Sequence, residues 1–134
     1  MIVVDTNVIA YLWIPGHFTP LAQNALGRDP DWLAPFLWRS EFRNVLAVYV
    51  RQGLVTHEVA MRVVASAERQ MHGHEYTVCS EEVLDLARSS GCSAYDCEFA
   101  ALATRLRVPL VTTDKRLLAA FPATSVPLEE FVAE

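Results

Sequence analysis

No apolar run in this chain has the length of a bilayer span, and none follows a cationic amino-terminal flank. The opening MIVVDTNVIAYLWIPG meets an acid at its fifth residue, so it reads as a strand rather than a signal peptide or membrane span. A cytosolic (cytoplasmic) setting without a membrane partner is the expectation. Cysteine is scarce: Cys79, Cys92 and Cys97 form an odd set without metal-site spacing, fit a reducing compartment, and read as small core residues. Lysine is nearly missing, with Lys115 alone beside ten arginines, and sixteen acids leave a formal net charge of -5. That balance excludes the broad cationic field of a non-specific nucleic-acid coater, so any such contact must be local. Repeats, low-complexity tracts and Gly/Ser linkers are also lacking, which leaves residues 1–134 as one expected domain.

What is present is a core: 52% of 134 residues are hydrophobic, and 20% are charged, so disorder is excluded. Short apolar runs at 2–4, 32–34, 76–79 and 110–112, with a weaker one at 125–126, are predicted strands, and their continuity implies burial on both faces. Helical patterns fall between them at 7–13, 20–26, 36–52, 56–71, 80–90, 93–107 and 115–120. Tyr95, Phe99, Leu102 and Leu106 recur at steps of four, three and four, a stripe expected to face the core. The alternation predicts an α/β fold: a small parallel sheet of four to five strands flanked by helices.

In such a sheet the functional crevice lies beyond the carboxyl ends of the strands. Asp5 follows the first strand and Asp114 the 110–112 strand; Asp96 opens a helix that must start at the same edge, and Glu41 lies about two turns into the helix leaving the second strand. At about 5–6 Å and an effective dielectric near 20, each carboxylate pair would repel by roughly 3 kcal/mol. Summed over four acids, that rivals a domain's whole stability. Either some acids hold protons or a divalent cation sits among them, and hard oxygen donors favour Mg²⁺ or Mn²⁺. Taken singly, Asp5 and Asp114 also suit helix caps, and Ser93 with Asp96 suits a capping box. Glu41 tips the balance, because FLWRSEFRNVLAVYV is apolar on most faces and an unpaired charge there is costly.

VVDTNVI, SEFRNVL, SAYDCEFAALA and LVTTDKRLL, in this order and spacing, resemble the PIN domain, and more narrowly the VapC-type toxins of toxin–antitoxin modules. The resemblance implies a Mg²⁺- or Mn²⁺-dependent endoribonuclease, a homodimer acting on RNA and held inactive by a cognate VapB-like antitoxin. Asp5, Glu41, Asp96 and Asp114 match the family's acidic quartet, as catalytic and metal-binding residues; Asn7, Asn44 and Thr112 match its polar positions, as supporting or water-holding groups. Two bound dications would move the net charge from -5 to about -1 and ease the approach of RNA. Arg39, Arg43, Lys115 and Arg116 adjoin the acidic motifs and are candidate RNA contacts.

Other readings stay open. A stand-alone PIN nuclease without an antitoxin fits the same motifs, as does a non-catalytic PIN-fold interaction module; aspartyl phosphate transfer at Asp5 is disfavoured because DTN is not DxD. His72 and His74 are read as helix-end residues rather than a metal pair, and Cys97 as unreactive beside acids. Most aromatics among Tyr11, Trp13, Phe18, Phe36 and Trp38 are expected in the core, with Trp13 or Phe18 the exceptions that would serve a partner groove.

Overall fold

A computed structural model describes residues 1–133. Its elements run β1 (Ile2–Val4), α1 (Thr6–Trp13), α2 (Thr19–Arg28), β2 (Trp32–Pro35), α3 (Leu37–Arg51), α4 (His57–Met71) and β3 (Glu75–Tyr76). There follow α5 (Ser80–Ser90), α6 (Ala94–Leu106), β4 (Leu110–Thr112), α7 (Lys115–Ala120), β5 (Ser125–Pro127) and α8 (Leu128–Ala133). The strands form one sheet in the order β3-β2-β1-β4-β5, and every pairing is parallel.

β1, β2 and β4 are buried along their whole length, which is why they read as unbroken apolar runs without polar alternation. Helices flank them: α6 packs across β1, β2 and β4, while α1 packs against α2, α3 and α4. Trp32, Trp38, Phe42, Ile9 and Leu110 are among the largest fully buried side chains of the core.

The chain steps outward from β1 through β2 to β3, then returns to lay β4 on the other flank of β1. The strand order therefore reverses between β1 and β4, and a crevice opens beyond their carboxyl ends. Asp5 stands one residue past β1 and Asp114 two past β4, so this reversal alone brings residues 109 positions apart in sequence to one edge.

Several expectations need correction. The third strand is Glu75–Tyr76 rather than 76–79, because its register is set by pairing with Ala34 and Pro35 and not by the apolar Val78 and Cys79 that follow. α8 had no counterpart in the sequence reading; it is six residues long and is held by burial of Leu128 and Phe131. Tyr95 is 63% exposed, off the core stripe, since it lies in the first turn of α6 where the helix projects past the sheet. Cys79 is exposed at the start of α5; only Cys97 is buried. Trp13 and Phe18 are half-buried, whereas Phe36, at 49%, is the exposed member of the aromatic group and Trp38 is fully buried.

Candidate active site

The crevice at the β1–β4 reversal is a cavity of about 610 Å³, within the range of small-molecule and substrate sites. Asp5, Glu41, Asp96 and Asp114 all line it, each delivered by a different element. Asn7 and Asn44 line it too, with Thr6, Ser40 and Tyr95 between the acids.

Asp5 is the deepest of the four, at 6% exposure. Its extended backbone ends β1 and caps α1, Oδ1 accepting the Val8 N–H at 3.0 Å. Its Oδ2 accepts the hydroxyl of Thr112, a buried residue at the end of β4. That hydroxyl oxygen accepts in turn the N–H of Asp114 at 2.9 Å, so one threonine links the acids of the two central strands. Burial lifts the Asp5 carboxyl to about 6; the Thr112 and Val8 bonds oppose the rise, and the charges of Asp114 and Glu41 add to it.

Glu41 is the fifth residue of α3, nearer the helix start than the expected two turns. It accepts the Thr6 hydroxyl at 2.7 Å, a bond that ties the first turn of α1 to α3. Burial pushes its carboxyl upward, the Thr6 bond pulls it down, and Asp96 and Glu98 raise it further. Asp96 sits in the first turn of α6, where its N–H donates to the Ser93 cap at 3.1 Å. Its carboxyl is raised by burial and by Asp114 and lowered by Arg116, whose Nη2 lies 3.8 Å away. Asp114 caps α7, its Oδ1 accepting the N–H groups of Arg116 and Leu117 at 2.8 and 3.3 Å.

The capping and clustering readings of these acids thus hold together: Asp5 and Asp114 cap helices and line the cavity. Asp5, Glu41 and Asp96 are all pushed upward, by burial first and by neighbouring carboxylates second, so negative charge is costly in this cavity. Hard carboxylate oxygens suit Mg²⁺ or Mn²⁺ in donor chemistry. Among the described residues no three His, Cys, Asp or Glu side chains are drawn together as a ready-made cage. Asp5, Glu41 and Asp114 are turned instead to hydroxyl or backbone donors, and Asp96 faces Arg116.

The candidate RNA contacts separate into two pairs. Lys115 and Arg116 are exposed at the start of α7, next after the cavity-lining Asp114. Arg39 is engaged elsewhere, with Nη2 donating to Glu75 at 2.9 Å and Nη1 3.4 Å from Glu68; Arg43 is 3.6 Å from the same Glu68 and lines the groove between α3 and α4. His74 pairs with Asp31 at 3.1 Å. The sequence reading missed Thr6, although it stands between Asp5 and Asn7, and Glu98, two positions from Asp96 on a helix and hence without a spacing signal.

The PIN domain profile matches residues 2–122. The chain belongs to the PIN domain family. Across 129 residues this PIN domain is 27% identical to "Ribonuclease VapC3" of Pyrobaculum aerophilum, covering 94% of this chain and 98% of that relative. Solved structures share the fold, PAE2754 and FitAcB among them. PAE2754 from Pyrobaculum aerophilum superposes with a TM-score of 0.79 at 22% identity, over 98% of this chain and 93% of that one. FitAcB from Neisseria gonorrhoeae gives 0.72 at 19%, over 96% and 99%. No helix among the described residues is long and apolar enough to cross a membrane.

Proposed function

We propose that this PIN domain is a Mg²⁺- or Mn²⁺-dependent endoribonuclease of the VapC type, a toxin inhibited by a cognate VapB-like antitoxin and working as a homodimer in the cytoplasm. The observation that carries the reading is the meeting of Asp5, Glu41, Asp96 and Asp114 on one cavity at the strand-order reversal. Similarity to a relative named as a VapC ribonuclease along nearly the whole chain supports the substrate class and the toxin–antitoxin setting.

Asp5, Glu41, Asp96 and Asp114 are the residues that would hold the metal. When bound, the ions supply Lewis acidity: they lower the pKa of a water, neutralise a phosphate oxygen and stabilise the leaving alkoxide. The chain's own groups provide the frame. Thr112 fixes the rotamer of Asp5 and the backbone of Asp114, and Thr6 aims Glu41. Asn7 and Asn44 offer neutral donors on the cavity wall for phosphate oxygens and water. Lys115 and Arg116 are placed to draw the RNA backbone toward the acids. Hydrolysis by water leaves a 5′-phosphate and a 3′-hydroxyl and has no need of the ribose 2′-OH as nucleophile.

The test is cleavage of single-stranded RNA with and without Mn²⁺, with the ends sequenced. Asp96→Asn and Asp5→Asn are expected to fold and to lose cutting by at least a hundredfold. Variants that cut as wild type does would end the assignment. A second reading, an interaction module whose acids only cap helices, draws on the capping bonds of Asp5 and Asp114. Calorimetric titration with Mn²⁺ separates the two, since a module of that kind shows no binding that depends on Glu41.

A further inference from the structure

Beside the acidic cavity lies a second one, of about 210 Å³, between α1, α3 and the loop joining α1 to α2. Asn7 and Val45 line both, so the two share a wall. Glu41, Val45 and Tyr49 follow one another at four-residue steps and therefore occupy one face of α3. At ~1.5 Å per residue, that face runs about 12 Å from the acids to the far end of the second cavity. This is the reach of about three to four stacked nucleotides at roughly 3.4 Å each.

The walls differ sharply in chemistry. No Asp, Glu, Lys or Arg lines the second cavity, so it has no fixed charge to pair with a phosphate. It offers rings instead. Tyr11 stacks on Phe18 with centroids 4.7 Å apart at 27°, and His17 meets the edge of Phe18 at 5.2 Å and 78°. Asn7 and Tyr49 add neutral hydrogen-bonding groups.

The loop that carries these rings is fastened at both ends. The Thr19 hydroxyl donates to the carbonyl of Tyr11 at 2.7 Å and accepts the Gly16 N–H at 3.0 Å. The Tyr11 hydroxyl is bonded at 3.1 Å to that of Thr113, the neighbour of Asp114. The aromatic wall is thus held in register with the acidic one, which lowers the ordering cost of binding.

Resting on the ribonuclease reading, we infer that this pocket takes one unpaired nucleobase of the strand whose phosphate enters the acidic cavity, and so contributes to the choice of cleavage site. Single-stranded RNA is recognised by splaying bases onto aromatic side chains, and every base offers a π face to such a wall. A neutral, ring-lined recess one wall from a phosphate site has the chemistry for that.

The experiment uses an oligoribonucleotide that the wild type cuts once with Mn²⁺, remade with an abasic residue at each position within three nucleotides of the cut. One position is expected at which base removal lowers kcat/KM by about tenfold or more. Phe18→Ala and the exposed-site variant His17→Ala are each expected to slow cutting of the intact strand and to flatten that penalty. His17→Ala keeps the test open should Phe18→Ala fail to fold. Penalties unchanged in a folded variant at every position overturn the inference while leaving the nuclease reading intact. Variants that cut all strands as wild type does but escape inhibition by a bound protein overturn it too, in favour of a peptide subsite. Absence of any cutting by the wild type sinks the ribonuclease reading and this inference with it.

Discussion

Asp5 carries the sharpest conflict between stability and chemistry at the scale of one residue. Its folded carboxyl titrates near 6 against an ordinary value of 3.8, so the folded state binds the proton more tightly than the unfolded chain does. The linked stability, roughly 3 kcal/mol, is fully present below pH 3.8 and is lost as pH rises through 6. Metal-free protein is therefore expected to lose stability in denaturant melts between pH 5 and 7.5, and the drop should shrink in Asp5→Asn, which removes the charge and keeps an acceptor for Thr112. An equal drop in both proteins would show that Asp5 is not its source. Thr112→Val deletes the hydroxyl shared by Asp5 and Asp114, leaving a buried carboxylate oxygen and an N–H without their partner. A loss of about 1–3 kcal/mol is expected, together with weaker Mn²⁺ binding in calorimetry.

Single elements carry their own tests. β3 is only two residues long, and its attachment depends on Glu75, 4% exposed at the side chain, which accepts from Arg39 and from the Trp38 indole at 2.8 Å. The Arg39 bond holds its carboxyl below the usual value, with burial opposing, so its stabilisation is present above pH 4.5 and fades as pH falls through the lowered value. Glu75→Gln should cost about 2 kcal/mol at pH 7 and much less under strongly acidic conditions, read from urea melts. α6 ends at Arg107, a non-glycine residue at φ 57°, ψ 44° in the left-handed region. Arg107→Gly relieves the Cβ conflict and is expected to raise stability by about 0.5–1 kcal/mol; a fall would mean that the side chain has an unrecognised packing role.

Elements also mark how far the residues could be read in advance. β1 and β4 were placed at their observed bounds because two-sided burial leaves an unbroken apolar signal; α5 ends at the left-handed Gly91 and α7 begins at the Asp114 cap, each marked at one end. β3 was misplaced because an edge pairing reports a contact with β2, not local composition. The acidic edge was legible because strand ends locate Asp5 and Asp114 directly. Of the aromatic recess only Phe18 was marked in advance as a groove residue, since the other rings come from α1, a loop and α3 and meet it only in space.

For the molecule as a whole, the proposed metal site would couple folding to cations. Mn²⁺ at a hundred times its dissociation constant should stabilise the native state by about 2.7 kcal/mol, seen as a rise in Tm that vanishes in Glu41→Gln. A rise retained in that variant would place the ion elsewhere. The central position of β1 has a consequence for synthesis. Its first residues leave the ribosome at the outset, yet the strand on its other flank, and the Thr112 hydroxyl that steadies Asp5, are encoded 107 residues later. At about 5–20 residues per second, that spacing imposes a delay of roughly 5–20 s in which the nascent chain holds its first acid but lacks the strand that completes the crevice. On the ribonuclease reading, a translating ribosome would be shielded from the product it is making, and stalled chains released before residue 110 are expected to leave RNA intact.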